Sequence, residues 1–268
     1  MRITLTSSED LFKVLERLSK DQSGIRLLNI YKGLPISYDA SISSIGDSEI
    51  HVISNKYQIS CLYHQRETFI RGEDLPFVIR SQVISLNLAR EDAVLANFEV
   101  AQNSIGNRMN IRVEPEEPLV GVIQFKGYPT KVNAAIADIS IHGASLYVDD
   151  FLFPVRLFQP GNEISMSILI PDATAQKAKK TITGQLINAR SPVRGVSPTG
   201  SDGNIEINTW GKILAVRPEL HVNRYRVSVK LSVRDQERAV VSQFISQRQT
   251  EIIRDLRILS EELFNRKK

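Results

Sequence analysis

The sequence predicts a mostly β protein: two β-barrel domains in tandem, opened by a short N-terminal helix and closed by a long C-terminal amphipathic helix. Three observations carry that prediction. Apolar residues recur with a period of two across many short segments bounded by turn residues. A polar, glycine-bearing stretch, 102–107 (QNSIGN), divides those segments into two groups. Beyond Val233 the apolar period lengthens to about three and a half residues, the spacing of a helix face.

Ser7 and Ser8 precede Glu9 and Asp10, and Leu11, Val14, Leu15 and Leu18 then recur at helical spacing, so a short capped helix is expected first. Ile36, Tyr38, Ala40 and Ile42 alternate with polar residues. Val83, Ser85 and Asn87 interleave with Ile84, Leu86 and Leu88, and Val94, Ala96, Phe98 and Val100 form the last strand before the linker. Cys61 falls in a run with Ile59 and Tyr63 at a spacing of two and reads as a small buried hydrophobe. It is the only cysteine, so no intramolecular disulfide is possible and a reducing compartment is expected.

The second group begins at 119–125 and continues through Val132, Ala134 and Ile136, then Leu146 and Val148. Ile164, Met166, Ile168 and Ile170 alternate with Glu163, Ser165, Ser167 and Leu169. Ile182, Gly184 and Leu186 follow. Tyr225, Val227, Val229 and Leu231 close the set, with Arg224, Arg226, Ser228 and Lys230 on the opposite face. The segment 191–204 (SPVRGVSPTGSDGN) is expected to be a long loop. In the final helix Ile245, Ile252 and Leu259 lie at heptad spacing with Leu256 and Leu263 or Phe264 beside them. Packing on its own barrel and a coiled coil with a second subunit are both open, and Gln249 at an inner position weighs against the latter. An internal repeat is also suggested. YKGLPISYDASISSI from Tyr31 is similar to FKGYPTKVNAAIADI from Phe125, with a turn two residues shorter in the first copy.

The chain has 268 residues, is 42% hydrophobic and carries a formal charge of +4. That suffices for two cores and favours anionic partners without choosing among them. MRITLTSSEDLFKVL lacks the apolar centre of a secretory signal, and no apolar run approaches a membrane span, so a cytoplasmic, non-inserted protein is expected. There is no Walker loop, GxGxxG, GxSxG, HExxH or CxxC. His51, His64, His142 and His221 are scattered, which gives no support for a metal site.

Two motifs carry chemistry. Arg108-Met-Asn-Ile-Arg112 places two planar guanidinium forks four residues apart, each matched to a phosphate or to the N7/O6 edge of guanine. Asp138-Ile-Ser-Ile-His-Gly143 puts Asp138 and Ser140 on one face of a strand, opposite Ile139 and Ile141. Gly143 follows where the strand must turn, and glycine there permits a positive φ and close backbone approach to a flat ligand. An acidic acceptor suits the N–H donors of guanine, and a serine hydroxyl suits a phosphate or amide.

RxxxR at the edge of a barrel, followed some thirty residues later by (D/N)xSxxG, resembles the PilZ family of cyclic di-GMP receptors. The likeness extends to the closing strand NRYRVSVKLS and the helix containing QFISQRQTEIIRDLR. It implies a split barrel whose ligand is held by Arg108 and Arg112 on one side and by Asp138, Ser140 and Gly143 on the other, with no cofactor and no catalysis. Many members have a further arginine before RxxxR, where this chain has Asn107.

The preceding domain resembles the N-terminal barrel of two-domain members of the flagellar-brake type. The resulting division is 1–101, a degenerate barrel whose Ser44-Ile-Gly46-Asp47-Ser48-Glu49 has lost the motif; 102–112, a linker and switch; 107–235, the PilZ domain; and 236–268, the terminal helix. One ligand site follows. Its occupation is expected to order the junction, change the interdomain arrangement and control a protein partner such as a flagellar motor component. A cyclic di-GMP-responsive nucleic-acid-binding regulator is the alternative, disfavoured by the interspersion of Lys and Arg with 30 acidic residues. Trp210, the single tryptophan, is expected to pack in a hairpin, with stacking on a guanine as the alternative.

Overall fold

A computed structural model describes residues 8–21, 23–101, 110–149, 156–171, 203–219 and 222–265. Arg108, the expected strand around Ile182 and nearly all of the 191–204 loop lie outside them. The chain divides into two units, one comprising 1–111 with 250–268 and the other 112–249.

The first unit opens with helix α1 (Ser8–Lys20), which buries Leu11, Leu15 and Leu18. Its barrel comprises β1 (Ile25–Tyr31), β2 (Leu34–Ile45), β3 (Glu49–Ser54), β4 (Glu67–Gly72), β5 (Ile79–Asn87) and β6 (Asp92–Val100). They close in the order β1-β2-β3-β6-β5-β4. The second barrel comprises β7 (Leu119–Phe125), β8 (Lys131–Ser140), β9 (Gly143–Asp149), β10 (Glu163–Pro171), β11 (Asn204–Glu219) and β12 (Arg224–Ser232). Its ring runs β7-β8-β9-β12-β11-β10, the same connectivity strand for strand. Closure leaves no free sheet edge in either barrel. The tandem-barrel fold expected from the sequence is the fold observed.

The repeat extends to a bulge. In β2 Ile42 pairs with Val52 and Ser44 with His51; in β8 Ile136 pairs with Leu146 and Asp138 with Ser145. The following turn is therefore equally long in both copies, contrary to the two-residue difference expected there. The difference sits one turn earlier. Tyr31 pairs with Leu34 across Lys32 and Gly33, whose φ of 48° and 81° give a type I′ turn, whereas the later hairpin last pairs at Gln124 and Lys131. Register also assigns Ser44, Gly46 and Glu49 to the positions of Asp138, Ser140 and Gly143.

Cys61 is buried as expected, but in a helix. Asn55 accepts from the Tyr57 and Gln58 amides and so caps α2 (Lys56–Gln65), which Arg66 ends at φ 57°. A spacing of two misleads here because Gln58, Ile59, Ser60, Cys61 and Leu62 are all buried while Tyr63 is exposed, so the burial does not alternate. Burial pushes the Cys61 thiol from the ordinary value of 9.0 up to about 12. Thiolate is thus depleted ~1000-fold at neutral pH, and disulfide reagents should label Cys61 only after unfolding. The unfolded chain loses this proton first, so stability is full below pH 9 and falls as pH rises towards 12, which denaturation at graded pH checks.

In β5 Val83 points inward and Ile84 is 53% exposed, with a bulge between Val83 and Ser85 breaking the alternation. The last helix, α3 (Asp235–Asn265), buries Val241, Ile245, Arg248, Ile252, Leu256 and Ser260 in one stripe. Arg248 Nε donates to the Glu114 carbonyl at 2.8 Å within the second unit, and Phe264 packs on the core of the first. Intrachain packing therefore accounts for the stripe. No described helix is long and apolar enough to cross a membrane.

Candidate functional site

The site is built on the outer face of the second barrel, where β8, β9 and β12 lie side by side. Along β8 the inward residues are Val132, Ala134 and Ile136, which leaves Asp138 due inward. The bulge at Ala137 reverses the alternation, so Ile139 packs in the core and Asp138 and Ser140 turn outward beside Ser145 and Gly143. Without that extra residue the carboxylate would enter an apolar interior.

Asp138 is shielded, with only 8% of its side chain exposed, and holds two arginines. Arg112 Nη1 lies 3.3 Å from Oδ1, and Arg226 Nη2 donates to Oδ2 at 2.8 Å. Arg112 is anchored through its neighbour, because Val113 and Ile139 exchange two backbone hydrogen bonds of 3.0 Å. Of the 102–112 junction that a ligand is expected to order, Arg112 is thus already held on the barrel. Ser140 Oγ donates to the Gly143 carbonyl at 3.0 Å, tying the two ends of the motif together.

Gly143 is needed for space rather than for a left-handed conformation, and its φ is not positive. A Cβ there would meet the Val229 carbonyl at 3.0 Å, with Arg112 Nη2 and Ser140 Oγ both at 3.7 Å. The sequence-based expectation of positive φ is replaced by close packing of β9 on β12.

Three site residues escaped the sequence reading. Besides Arg226 there are Tyr147 on β9 and Arg224 on β12, whose guanidinium carbon lies 3.5 Å from the Tyr147 ring centroid. Glu219 on β11 accepts from Arg224 Nε at 2.8 Å. Burial opposes the Arg226 charge, but its hydrogen bond to Asp138 and the neighbouring Tyr147, Asp138 and Glu219 outweigh it and raise its pKa. The arginines of β12 were legible as an outward row; their approach to Asp138 needed the pairing of β12 with β9.

Trp210 is not part of this array, nor is it packed. It is 59% exposed on β11, beside a groove of ≈ 310 Å³ that Gln124, Lys131, Ser165, Asn208 and Arg234 also line. His142 contributes its backbone, its carbonyl accepting from the Leu231 amide at 2.9 Å. Among the described residues no cluster of His, Cys, Asp and Glu could hold a metal.

Fold and site together define a tandem-barrel protein with an arginine-rich strand face. No family model matches the chain, and no curated protein matches it in sequence. Solved structures to which it is similar include the Bacillus subtilis inhibitor of motility MotI (DgrA), at 13% identity over 86% of this chain and 97% of that one, TM-score 0.41. K. pneumonia MrkH in complex with c-di-GMP is 10% identical over 93% and 97%, TM-score 0.41. The PilZ domain of Escherichia coli YcgR with c-di-GMP is 12% identical over 54% and 93%, TM-score 0.34.

Proposed function

We propose that this chain is a cytoplasmic receptor for cyclic di-GMP, a PilZ-type effector that binds the dinucleotide at the β8–β9–β12 face and acts on a protein partner without catalysis. The observation that carries this reading is Asp138, a shielded carboxylate on an outer barrel face that aligns Arg112 and Arg226 beside Ser140 and Gly143. Each oxygen of Asp138 keeps a lone pair for a base N–H, while each guanidinium keeps donors for a phosphate or for a guanine edge. The Ser140 hydroxyl proton is committed to the Gly143 carbonyl, so Ser140 is not activated as a nucleophile.

Arg108 supplies the second fork of RxxxR. Its capture by the ligand orders the 102–112 junction and resets the disposition of the 1–101 barrel and the 107–235 domain, through which a partner such as a flagellar motor component is controlled. Charge-assisted hydrogen bonds contribute about 1.5–3 kcal/mol each, enough in combination for submicromolar affinity.

Calorimetric titration of the full chain with cyclic di-GMP tests this. One ligand site is expected, and Arg108→Ala and Arg112→Ala are each expected to weaken it at least ~10-fold. Absence of heat with the unaltered protein, or affinities unchanged in both variants, would overturn the reading. Two separated sites would contradict the loss of the motif from the first barrel. Unchanged small-angle scattering on saturation would remove the interdomain step, and steeply salt-dependent binding to duplex DNA would favour a nucleic-acid regulator.

A further inference from the structure

Arg217 on β11 stands directly opposite Arg226 on β12, and residues so paired project from the same face of a sheet. Two like charges at that position oppose each other. Arg226 has an acceptor in Asp138, whereas Arg217 is exposed and has no partner among the described residues. Four residues along β12 the pattern repeats, with Lys230 opposite Lys212. Between the two cationic pairs lie Ala215 and Ser228, themselves opposite each other; Ser145 continues that row across β9, Gly143 stands opposite Lys230, and Leu214 is exposed at the bulge beside Ala215. A strand face rimmed by like-charged pairs is unfavourable in the empty protein and becomes favourable when an anion lies on it.

We propose that Arg217 and Arg226 jointly hold an anionic phosphate-class group of the ligand, so that the site extends from β8 and β9 across β12 onto β11. Arg226 is shared between Asp138 and this group, which its several N–H donors permit. Arg217 is a specificity-determining residue, reached by a ligand with a second anionic group and out of reach of a mononucleotide seated at Asp138. The inference rests on the reading of this face as a cyclic di-GMP site and names residues outside the RxxxR and DxSxxG motifs.

The test is titration of the full chain and of Arg217→Ala, Arg217→Lys and Arg226→Ala with cyclic di-GMP, with melting temperatures of the ligand-free proteins. Arg217→Ala should lose ~10-fold or more in affinity while melting at the same or a higher temperature, because removal of one cation relieves the opposed pair. A merely structural residue would lose both or neither. Arg217→Lys should recover part of the affinity. An affinity within twofold of the unaltered protein for both Arg217→Ala and Arg226→Ala would overturn the proposal. If the unaltered protein binds no cyclic di-GMP, the receptor reading falls separately. The anion site is then judged with inorganic pyrophosphate: a rise in melting temperature that Arg217→Ala abolishes sustains it, and no rise, or an equal rise in both proteins, ends it.

Discussion

Replacement of Asp138 by alanine is expected to weaken cyclic di-GMP binding ~100-fold or more, the largest loss for any single alanine substitution in the site. Two effects add. The variant lacks the carboxylate that would accept a base N–H, a charge-assisted bond of about 1.5–3 kcal/mol, where about 1.4 kcal/mol is tenfold. It also releases Arg112 and Arg226, each of which donates to a different oxygen of Asp138, so both forks must be ordered by the ligand at its own entropic cost. The stability cost is smaller, on the order of 1–2 kcal/mol, because the Arg112 and Arg226 side chains are 25% and 41% exposed and water can take over much of what the carboxylate supplied. Asp138→Asn separates the effects: shape and one acceptor remain, but the amide points donors at one of two guanidiniums. Calorimetry gives the affinities and urea denaturation the stabilities. A ligand affinity for Asp138→Ala within threefold of the unaltered protein would show that the carboxylate serves the barrel alone.

What could be read in advance divides along the range of the interactions. The strand faces of β10 and β12 follow from a period of two and need no partner to be recognised, which is why the row Arg224, Arg226, Ser228 and Lys230 separates from Val227, Val229 and Leu231; in β8 the same period sets Asp138 and Ser140 together opposite Ile139, but continued from Ile136 it would turn them inward. The bulge at Ala137 also leaves a trace, since the buried apolar residues step from Ile136 to Ile139, three apart instead of two. Arg226 was missed as a partner of Asp138 because β12 reaches β8 only through β9, and no local pattern encodes which distant strand completes a barrel. The helix at Lys56–Gln65 was missed for the opposite reason: its signal, the Asn55 cap, is local, but it was outweighed by a chance alternation around Cys61. Trp210 shows a third limit. An aromatic on a closed barrel has two faces to choose from, and only register placed it outside.

Gly143→Val is expected to abolish measurable cyclic di-GMP binding and to lower the melting temperature of the protein. The strand pairing puts Gly143 opposite both Ser140 on β8 and Lys230 on β12, on the middle strand of the site. Its single missing carbon already matters: a Cβ would press on the Val229 carbonyl at 3.0 Å, and that oxygen is backbone and cannot rotate away. Alanine therefore forces a shift of a few tenths of an ångström between β9 and β12, for a cost of about 1 kcal/mol and a modest loss of affinity. Valine adds two methyl groups, which have only the space beside Arg112 and Ser140 to occupy, so they displace the guanidinium from Asp138 and stand where a flat ligand would lie. About 2–3 kcal/mol of stability is expected to go with them. The graded pair is informative because space alone predicts the order glycine, alanine, valine in both affinity and melting temperature. Had a positive φ been the reason for glycine, alanine would already incur most of the strain of valine, and the two variants would melt together.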